Sequence, residues 1–372
     1  MQKQTFIPSK SYDLLLAHIR NQKTKKMYKS YFKMFLEYCQ MNPDDIIKLE
    51  SRQLTTLARN FLLNSSKRVS PGSIHIMQAV LKLFFEVNEV VVNWTLIRKA
   101  IPKNQTVIDD RLYTQEEIRK LLDHADLREK TIIYTLLSTG MRIGGLCELE
   151  LKDLQYIEDH KLYKITVYAS SKHDRYITFC TPECATTIQK YLEYRKEEGE
   201  KLEGNTGLIG RNIDPSKKSQ KIRQQSLHTI MNRLIQEKSK LFKKPENVTT
   251  ATRYPVMRCH GFRKIFNTKC IEARINYNIK EMLMGHKTSL GLDRNYYRPS
   301  DSELLDEYIK VVDSVTINEE NKLRRENTKL KKELDFTDRE IAMMKQSLRT
   351  MATQMGLDLD KLDADFIEKH PG

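Results

Sequence analysis

Three short segments, far apart in the chain, carry side chains that suit one reaction. The segments are Ser-Thr-Gly-Met-Arg, which ends at Arg142, Cys-His-Gly-Phe-Arg-Lys, which contains His260 and Arg263, and Met-Gly-His, which ends at His286. Tyr296 follows ten residues later. Arginine offers phosphate oxygens a planar, permanently charged fork, histidine donates or carries protons, and tyrosine supplies an oxygen nucleophile. Together these residue types predict the cutting of a DNA strand without a metal ion.

Arg142 follows a predicted helix end. A helix that buries Ile132 and Leu136 runs to Gly140, where glycine can form the tight or left-handed turn that stops a helix. The turn would project Arg142 toward solvent, where it could meet an external phosphate. An arginine at a helix end also commonly caps carbonyls or forms a salt bridge, and this purely structural role stays open.

His260 and Arg263 are three residues apart, so they share one face of a helix, one turn apart. This spacing lets both reach one phosphate, although a histidine and an arginine on one helix face are common in any protein. Gly285 is a natural helix stop that fixes where the imidazole of His286 points.

Residues 163–168 and 175–179 alternate as strands do, and the polar turn between them predicts a β-hairpin with Lys172 near its tip. Most turn lysines are merely solvated. Only its place between Arg142 and His260 makes Lys172 a candidate.

The order of these residues resembles that of the tyrosine recombinase (phage-type integrase) family, including the integrases of archaeal and bacterial mobile elements, over roughly residues 10 to 315. The resemblance implies site-specific cleavage and rejoining of DNA through a 3′-phosphotyrosine, with neither ATP nor a cofactor. It implies the catalytic set Arg142, Lys172, His260, Arg263, His286 and Tyr296. Lys172 would protonate the leaving 5′ oxygen. Tyr296 is preferred over Tyr297 as the nucleophile because Arg298 follows it at the second position, as is frequent in the family.

One position departs from the family pattern. Family members usually place an acidic residue three positions after the first arginine, where this chain has Gly145, with Glu148 a turn further on. The sequence therefore does not indicate which group orients the Arg142 guanidinium. Two alternatives remain beside a recombinase: a DNA-relaxing enzyme like the type IB topoisomerases, and a DNA-binding relative without catalysis.

The elements that must position these residues predict a mainly α fold with a small β-sheet. Residues 1–101 read as a helical core-binding domain, in which Phe32 and Phe35 lie on the apolar stripe of a helix with a lysine-rich opposite face. We expect a linker over 102–112 and a mixed α/β catalytic domain over 113–315.

Local signals predict where several helices begin. Ser70 followed by Pro71 is an N-cap with proline in the first helical turn, and capping boxes at Thr114 and Ser300 open two further helices. The helix that ends at Gly285 is expected to include Ile275.

A coiled-coil tail is expected over 316–358, followed by a flexible C-terminus over 359–372. Apolar residues recur at alternating spacings of four and three between Leu323 and Met355, and Asn327 occupies an a position, which favours a parallel dimer. The methionine-rich end could instead dock on the protein's own surface.

Composition points to a polyanionic partner. The chain has 64 Lys and Arg against 49 Asp and Glu, a net charge of +15, which favours phosphate backbones. We expect double-stranded DNA with a specific recombination site as the partner, a homo-oligomer that is a tetramer on DNA, and no membrane association. No apolar run suits a membrane span, so a cytoplasmic, nucleoid-associated location is expected. The six scattered cysteines suggest buried thiols, and Cys180 with Cys184 fits no standard zinc spacing.

Overall fold

The computed structural model describes residues 9–101, 111–210, 221–242, 256–286 and 299–354. Contacts divide the chain into two compact units. The first unit takes its described residues from 9–101, and the second takes them from all the later ranges. Each unit buries its own apolar core.

The first unit is helical throughout its described length. Its elements are α1 (Lys10–Ala17), α2 (Gln22–Cys39), α3 (Pro43–Ile46), α4 (Ser51–Ser66), α5 (Pro71–Val87) and α6 (Trp94–Ala100). The stripe predicted on α2 is confirmed, since Phe32 and Phe35 are fully buried while Lys29 is exposed. The predicted start of α5 is confirmed too, because the Ser70 hydroxyl caps the helix and Pro71 occupies its first turn.

The second unit contains eight α-helices within its described residues up to 315. They are α7 (Gln115–His124), α8 (Leu127–Thr139), α9 (Ile143–Glu148), α10 (Pro182–Glu197), α11 (Gln224–Arg233), α12 (Arg258–Glu272), α13 (Tyr277–Leu283) and α14 (Asp301–Val315). The capping boxes predicted at Thr114 and Ser300 open α7 and α14. One boundary differs from expectation: Ile275 precedes α13, because the Asn276 side chain caps that helix.

A three-stranded antiparallel sheet interrupts the helices. Its strands, in the order β1-β2-β3, are β1 (Leu154–Ile157), β2 (Leu162–Val167) and β3 (Tyr176–Phe179). The predicted hairpin is β2 and β3, in which Val167 pairs with Tyr176. The first strand escaped the sequence analysis because four residues are too few to display a clear alternation.

Helix α12 lies between two apolar clusters of the second unit. Phe262 belongs to the cluster that contains α7 and α8, and Phe266 belongs to the cluster that contains α13 and α14. The Tyr308 hydroxyl of α14 donates to the Ser138 carbonyl at 2.8 Å, which ties α14 to the last turn of α8. The ends of α8 and α13, and the first half of α12, are therefore fixed relative to one another.

Beyond α14 the chain forms one long helix, α15 (Glu319–Gln354), of 36 residues. It covers residues 319–354 of the predicted coiled-coil tail, and its large apolar side chains are exposed in the single chain. Among the described residues, no helix is both long enough and apolar enough to cross a membrane.

Candidate active site

Arg142 stands at a break between two helices. Gly140 ends α8 in the left-handed conformation, with φ of 59°, as the sequence predicted, and Arg142 is the N-cap residue of α9. A Cβ at Gly140 would lie 2.3 Å from the Phe266 ring, so both the backbone angle and the space require glycine. The exposed guanidinium of Arg142 donates from Nη1 to the carbonyl of Gly285 at 3.0 Å.

The Gly285 carbonyl orients Arg142 in this chain, where the family usually has an acidic residue at the position of Gly145. A Cβ at Gly145 would lie 2.7 Å from Cγ1 of Val167 on β2, so the acidic side chain that the resemblance places there has no room in this fold. Arg142 is oriented instead by a backbone oxygen that follows α13. Its structural role and its exposure to solvent coexist, because a guanidinium has five N–H donors.

Arg263 is buried, with 3% of its surface exposed, in the second turn of α12. It donates from Nη1 to the Gly140 carbonyl at 2.5 Å and from Nη2 to the Met284 carbonyl at 2.8 Å. Burial, and then the nearby charge of Arg142, lower its pKa from the ordinary arginine value. Arg263 thus joins the ends of α8 and α13 and comes close to Arg142.

His286 completes this cluster. It follows Gly285, whose φ is 63° and whose added Cβ would lie 2.3 Å from the ring of Tyr176, so glycine is again required. The imidazole Nδ1 lies 2.7 Å from Oε2 of Glu281, and a carboxylate only accepts, so Nδ1 carries the proton. Glu281 therefore fixes the tautomer and the orientation of the imidazole ring.

Opposing effects set the protonation of His286. Burial lowers its pKa below the ordinary histidine value, the charges of Arg263 and Arg142 lower it further, and Glu281 opposes them. In Glu281, burial alone would raise the carboxyl pKa, but hydrogen bonds from Lys280 and His286 outweigh it and lower that pKa.

Two tyrosines of the hairpin border the arginines. The charges of Arg142 and Arg263 both act on Tyr168 and Tyr176, although burial dominates and raises both phenol pKa values, that of Tyr176 to about 12. Neither phenol ionises readily near neutral pH, so we assign them to the wall of the site. The sequence analysis missed these two residues and Glu281. The signals were a tyrosine at each inner end of the hairpin and a carboxylate one turn before Met-Gly-His.

The other predicted residues are placed as follows. His260 is exposed on the first turn of α12, one turn before Arg263. Lys172 is exposed in the turn between β2 and β3, whose two ends carry Tyr168 and Tyr176. The structure thus brings Arg142, Arg263 and His286 together and sets Lys172 on a turn that begins beside them. Tyr296 and Tyr297 lie outside the described residues.

No group of three or more His, Cys, Asp or Glu side chains in the described ranges could hold a metal ion. The six cysteines form no disulfide, and Cys180 and Cys184 are fully buried, in agreement with the prediction of structural thiols.

The sequence profile of the phage integrase family matches residues 111–303, which is more than half of the chain. Among curated proteins, the chain is similar to tyrosine recombinase XerC of Leptospira interrogans, with 22% identity over 78% of this chain and 87% of that protein. It is also similar to a tyrosine recombinase of Thermosipho africanus, with 23% identity over 78% of this chain and 94% of the relative.

Solved structures show the same fold. One is a lambda integrase dimer bound to a COC′ core site, with a TM-score of 0.51 and 16% identity over 80% of this chain and 92% of that chain. Another is the Tn1549 transposon integrase in complex with circular intermediate DNA, with a TM-score of 0.51 and 17% identity over 81% of this chain and 98% of that chain. With two arginines and a histidine meeting at the ends of α8 and α13, and with this profile over residues 111–303 of the second unit, the chain belongs to the phage integrase family of tyrosine recombinases.

Proposed function

We propose that the cluster of Arg142, Arg263 and His286 is the phosphate-binding part of the active site with which this recombinase cleaves and rejoins DNA. The family's activity is strand transesterification at specific sites, through a 3′-phosphotyrosine. The observation that supports the assignment is the convergence of the three side chains on consecutive positions after α13. Arg263 binds the carbonyl of Met284, Arg142 binds that of Gly285, and His286 comes next.

The two arginines would bind the nonbridging oxygens of the scissile phosphate. The hydrogen bonds to backbone carbonyls use one N–H group of Arg142 and two of Arg263, and they hold each fork in place before the substrate arrives. Donors that are fixed in advance stabilise the charge that develops on a five-coordinate phosphorus without reorganising at the moment of reaction. Arginine keeps its charge even where burial lowers its pKa.

The two histidines, His286 and His260, would have separate roles in hydrogen bonding to the phosphate and in proton transfer. With Nδ1 of His286 held by Glu281, the imidazolium form donates from Nε2 to a phosphate oxygen. The negative phosphate would raise the imidazole pKa that burial and the arginines lower, so the substrate itself favours the donor form. His260, exposed one turn before Arg263, would donate to the phosphate or take the proton of the attacking tyrosine.

Tyr296 would be the nucleophile and Lys172 the acid. Attack of the phenolic oxygen on phosphorus forms a 3′-phosphotyrosine and breaks the bond to the 5′ oxygen, which Lys172 protonates. Rejoining reverses these steps with a 5′-hydroxyl of another strand, and the energy of the bond is conserved in the phosphotyrosine. A mobile ammonium on an exposed turn suits this role, because it can follow the leaving group.

The substrate would be a specific site in double-stranded DNA, which a basic chain with a net charge of +15 binds readily. As the family resemblance implies, we propose a mobile-element integrase that assembles on DNA as a tetramer. The expected location, in the cytoplasm with the nucleoid, follows from that substrate.

Trapping the covalent intermediate tests the proposal. A duplex site selected by the protein from random DNA is nicked close to the cleavage point, so that the short 5′-hydroxyl fragment diffuses away and rejoining stops. We expect a protein-DNA adduct that survives denaturation with the wild type and is lost with Tyr296→Phe, while Tyr297→Phe keeps it. Both variants retain every side chain of the described cluster, so their DNA affinity should match that of the wild type.

The outcomes separate the alternatives. An adduct that survives Tyr296→Phe but not Tyr297→Phe moves the nucleophile by one residue. Failure of the wild type to form any adduct on a bound site would leave the non-catalytic relative as the better description. Relaxation of supercoiled DNA that carries no selected site would support the topoisomerase-like alternative.

A further inference from the structure

The long helix α15 carries an apolar stripe that none of the described residues covers in the single chain. Seven large apolar side chains on this stripe are between 44% and 63% exposed: Leu323, Leu330, Leu334, Ile341, Met344, Leu348 and Met351. Contiguous apolar surface of this kind marks a site of interaction. The helix is about 54 Å long at 1.5 Å per residue.

The stripe has the seven-residue repeat of a coiled coil. The a positions are Asn327, Leu334, Ile341 and Leu348, and the d positions are Leu323, Leu330, Thr337, Met344 and Met351. Apolar residues with this period on two helices interlock as knobs into holes, and a polar residue at one a position fixes the register between them. The occupant of the stripe is therefore expected to be another helix with the same repeat.

The charges beside the stripe select the partner. The g positions carry Glu326, Glu333 and Glu340, and the e positions carry Lys331, Asp338 and Lys345. In a parallel, in-register pair of copies, each g residue faces the e residue five places later on the other helix. Glu326 then faces Lys331, and Glu340 faces Lys345, whereas Glu333 faces Asp338 with like charge. Two of these three pairings attract.

An antiparallel pair of copies would bring g against g and e against e. Glutamate would then face glutamate along one side, and lysine would face lysine along much of the other. Like charges across a coiled-coil seam oppose association. The same residues therefore favour a second copy in the parallel orientation and disfavour the reverse.

The start of α15 is fixed to the part of the second unit that precedes it, the catalytic unit, whose described residues lie between 111 and 315. The buried carboxylate of Glu183 on α10 accepts the backbone N–H groups of Ile317 and Asn318 at 2.9 and 3.0 Å, and Ile317 itself lies in the core. Arg325 pairs with Asp313 of α14 at 3.2 Å. Glu319 already pairs with Arg119 of α7, so the pairing of copies is expected to begin after this first turn.

We propose that α15 forms a parallel, in-register two-stranded coiled coil with a second copy of this chain, so that the recombinase is a dimer before it meets DNA. Helices in such a pair lie about 8–10 Å apart. The anchored starts of the two α15 helices would therefore hold two catalytic units side by side. This inference concerns assembly without DNA and is independent of the catalytic roles proposed above.

The first test is the mass of the full-length protein in solution without DNA, by sedimentation equilibrium at low micromolar concentration. We expect twice the chain mass of 43.8 kDa. The double variant Leu334→Asp with Ile341→Asp should be monomeric, because it places charges at two a positions. The matched control is Phe336→Asp with Met343→Asp, which changes two exposed apolar residues outside the stripe and should remain dimeric.

A disulfide tests the orientation. The variant Leu323→Cys places a thiol at a d position near the start of the coil, so a parallel pair brings the two thiols together. An antiparallel pair would separate them by about 40 Å, given 1.5 Å per residue. We expect a covalent dimer on mild oxidation, seen on a denaturing gel without reductant and not formed by the wild type.

A wild type that is monomeric at low micromolar concentration would overturn the proposal. A dimer that persists in the Leu334→Asp, Ile341→Asp variant, or a dimer of Leu323→Cys that does not cross-link, would overturn it as well. Helical content measured by circular dichroism, together with the adduct assay, shows whether a monomeric variant is still folded. Loss of dimerisation with normal adduct formation would leave the catalytic proposal intact.

Discussion

At the scale of the residue, Arg142 and Arg263 have the same side chain and different surroundings. The guanidinium of Arg263 is buried and satisfies two carbonyls, whereas that of Arg142 is exposed and satisfies one. A buried carbonyl that loses its donor costs about 1–3 kcal/mol. We therefore expect Arg263 to contribute to the stability of the fold as well as to phosphate binding, whereas Arg142 contributes little to stability.

This difference predicts the behaviour of two alanine variants. Arg142→Ala and Arg263→Ala should both reduce adduct formation by at least about a hundredfold, since each removes a charged donor to the phosphate. Both should keep most of the duplex affinity, because many phosphate contacts share it. Only Arg263→Ala should also lower the free energy of unfolding, by about 1–3 kcal/mol per orphaned carbonyl.

Denaturant unfolding, DNA binding and the adduct assay measure the three quantities separately. Parallel loss of binding and cleavage in Arg263→Ala, or equal destabilisation by the two variants, would contradict the assignment.

Glu281 is a positioning residue that acts through His286. Its carboxylate raises the imidazole pKa, so Glu281→Gln should lower that pKa further. If the imidazolium is the donor, cleavage falls as pH rises through this pKa, and the variant should move that limb to lower pH. We expect a larger defect at pH 8 than at pH 6, with DNA affinity little changed.

The measurement is the rate of adduct formation across that range with saturating DNA. A limb that moves to higher pH, or a loss of rate that is the same at every pH, would contradict the donor role of His286.

At the scale of the element, the contact between α9 and β2 replaces a side chain that the family usually has. Gly145 lets α9 approach Val167 so closely that a Cβ would lie 2.7 Å from its methyl group. A real Cβ cannot hold that distance, so Val167 or the helix would have to move. Because Arg142 caps α9, such a shift would reach the active site.

We therefore expect Gly145→Ala to destabilise the protein by about 1–3 kcal/mol, as overpacking does. The compensating variant is Val167→Ala, which removes the methyl groups that clash. The double variant should be more stable than the sum of the single effects predicts, by about 0.5–3 kcal/mol. Denaturant unfolding of the four proteins supplies the comparison, and strict additivity would show that the two residues do not press on each other.

At the scale of the whole molecule, the long helix α15 is joined to the rest of the second unit at its start. Among the described residues of the tail, the backbone N–H groups of Ile317 and Asn318 bind the carboxylate of Glu183 on α10. The position of a truncation should therefore decide its effect.

Deleting residues 320–372 leaves the contacts to Glu183 in place, and it should weaken assembly more than cleavage. Deleting residues 316–372 also removes Ile317 from the core and leaves the buried carboxylate of Glu183 without its backbone partners. This longer deletion should lower the melting temperature as well. Sizing on DNA, the adduct assay and thermal unfolding of both proteins make the comparison. Equal melting temperatures would contradict the anchoring role of Glu183.

The sequence by itself determined the mainly α class, the helix starts at Thr114, Ser70 and Ser300, the hairpin and the order of the candidate residues. These features depend on local chemistry: a hydroxyl caps the third N–H after it, and glycine stops a helix at Gly140 whatever surrounds it. The resemblance to a family came from the same short segments.

Only the tertiary structure decided how the site is held. The sequence alone did not show that the carbonyls following α13 bind both arginines or that Glu281 binds His286. It also did not show that Val167 leaves no room for a side chain at Gly145. The arginine contacts depend on how α8, α12 and α13 pack, the contact at Gly145 depends on how α9 packs on β2, and the contact of Glu281 depends on the turn that follows α13. A residue's type states what its side chain can donate or accept, and the packing of distant elements decides which partner it meets.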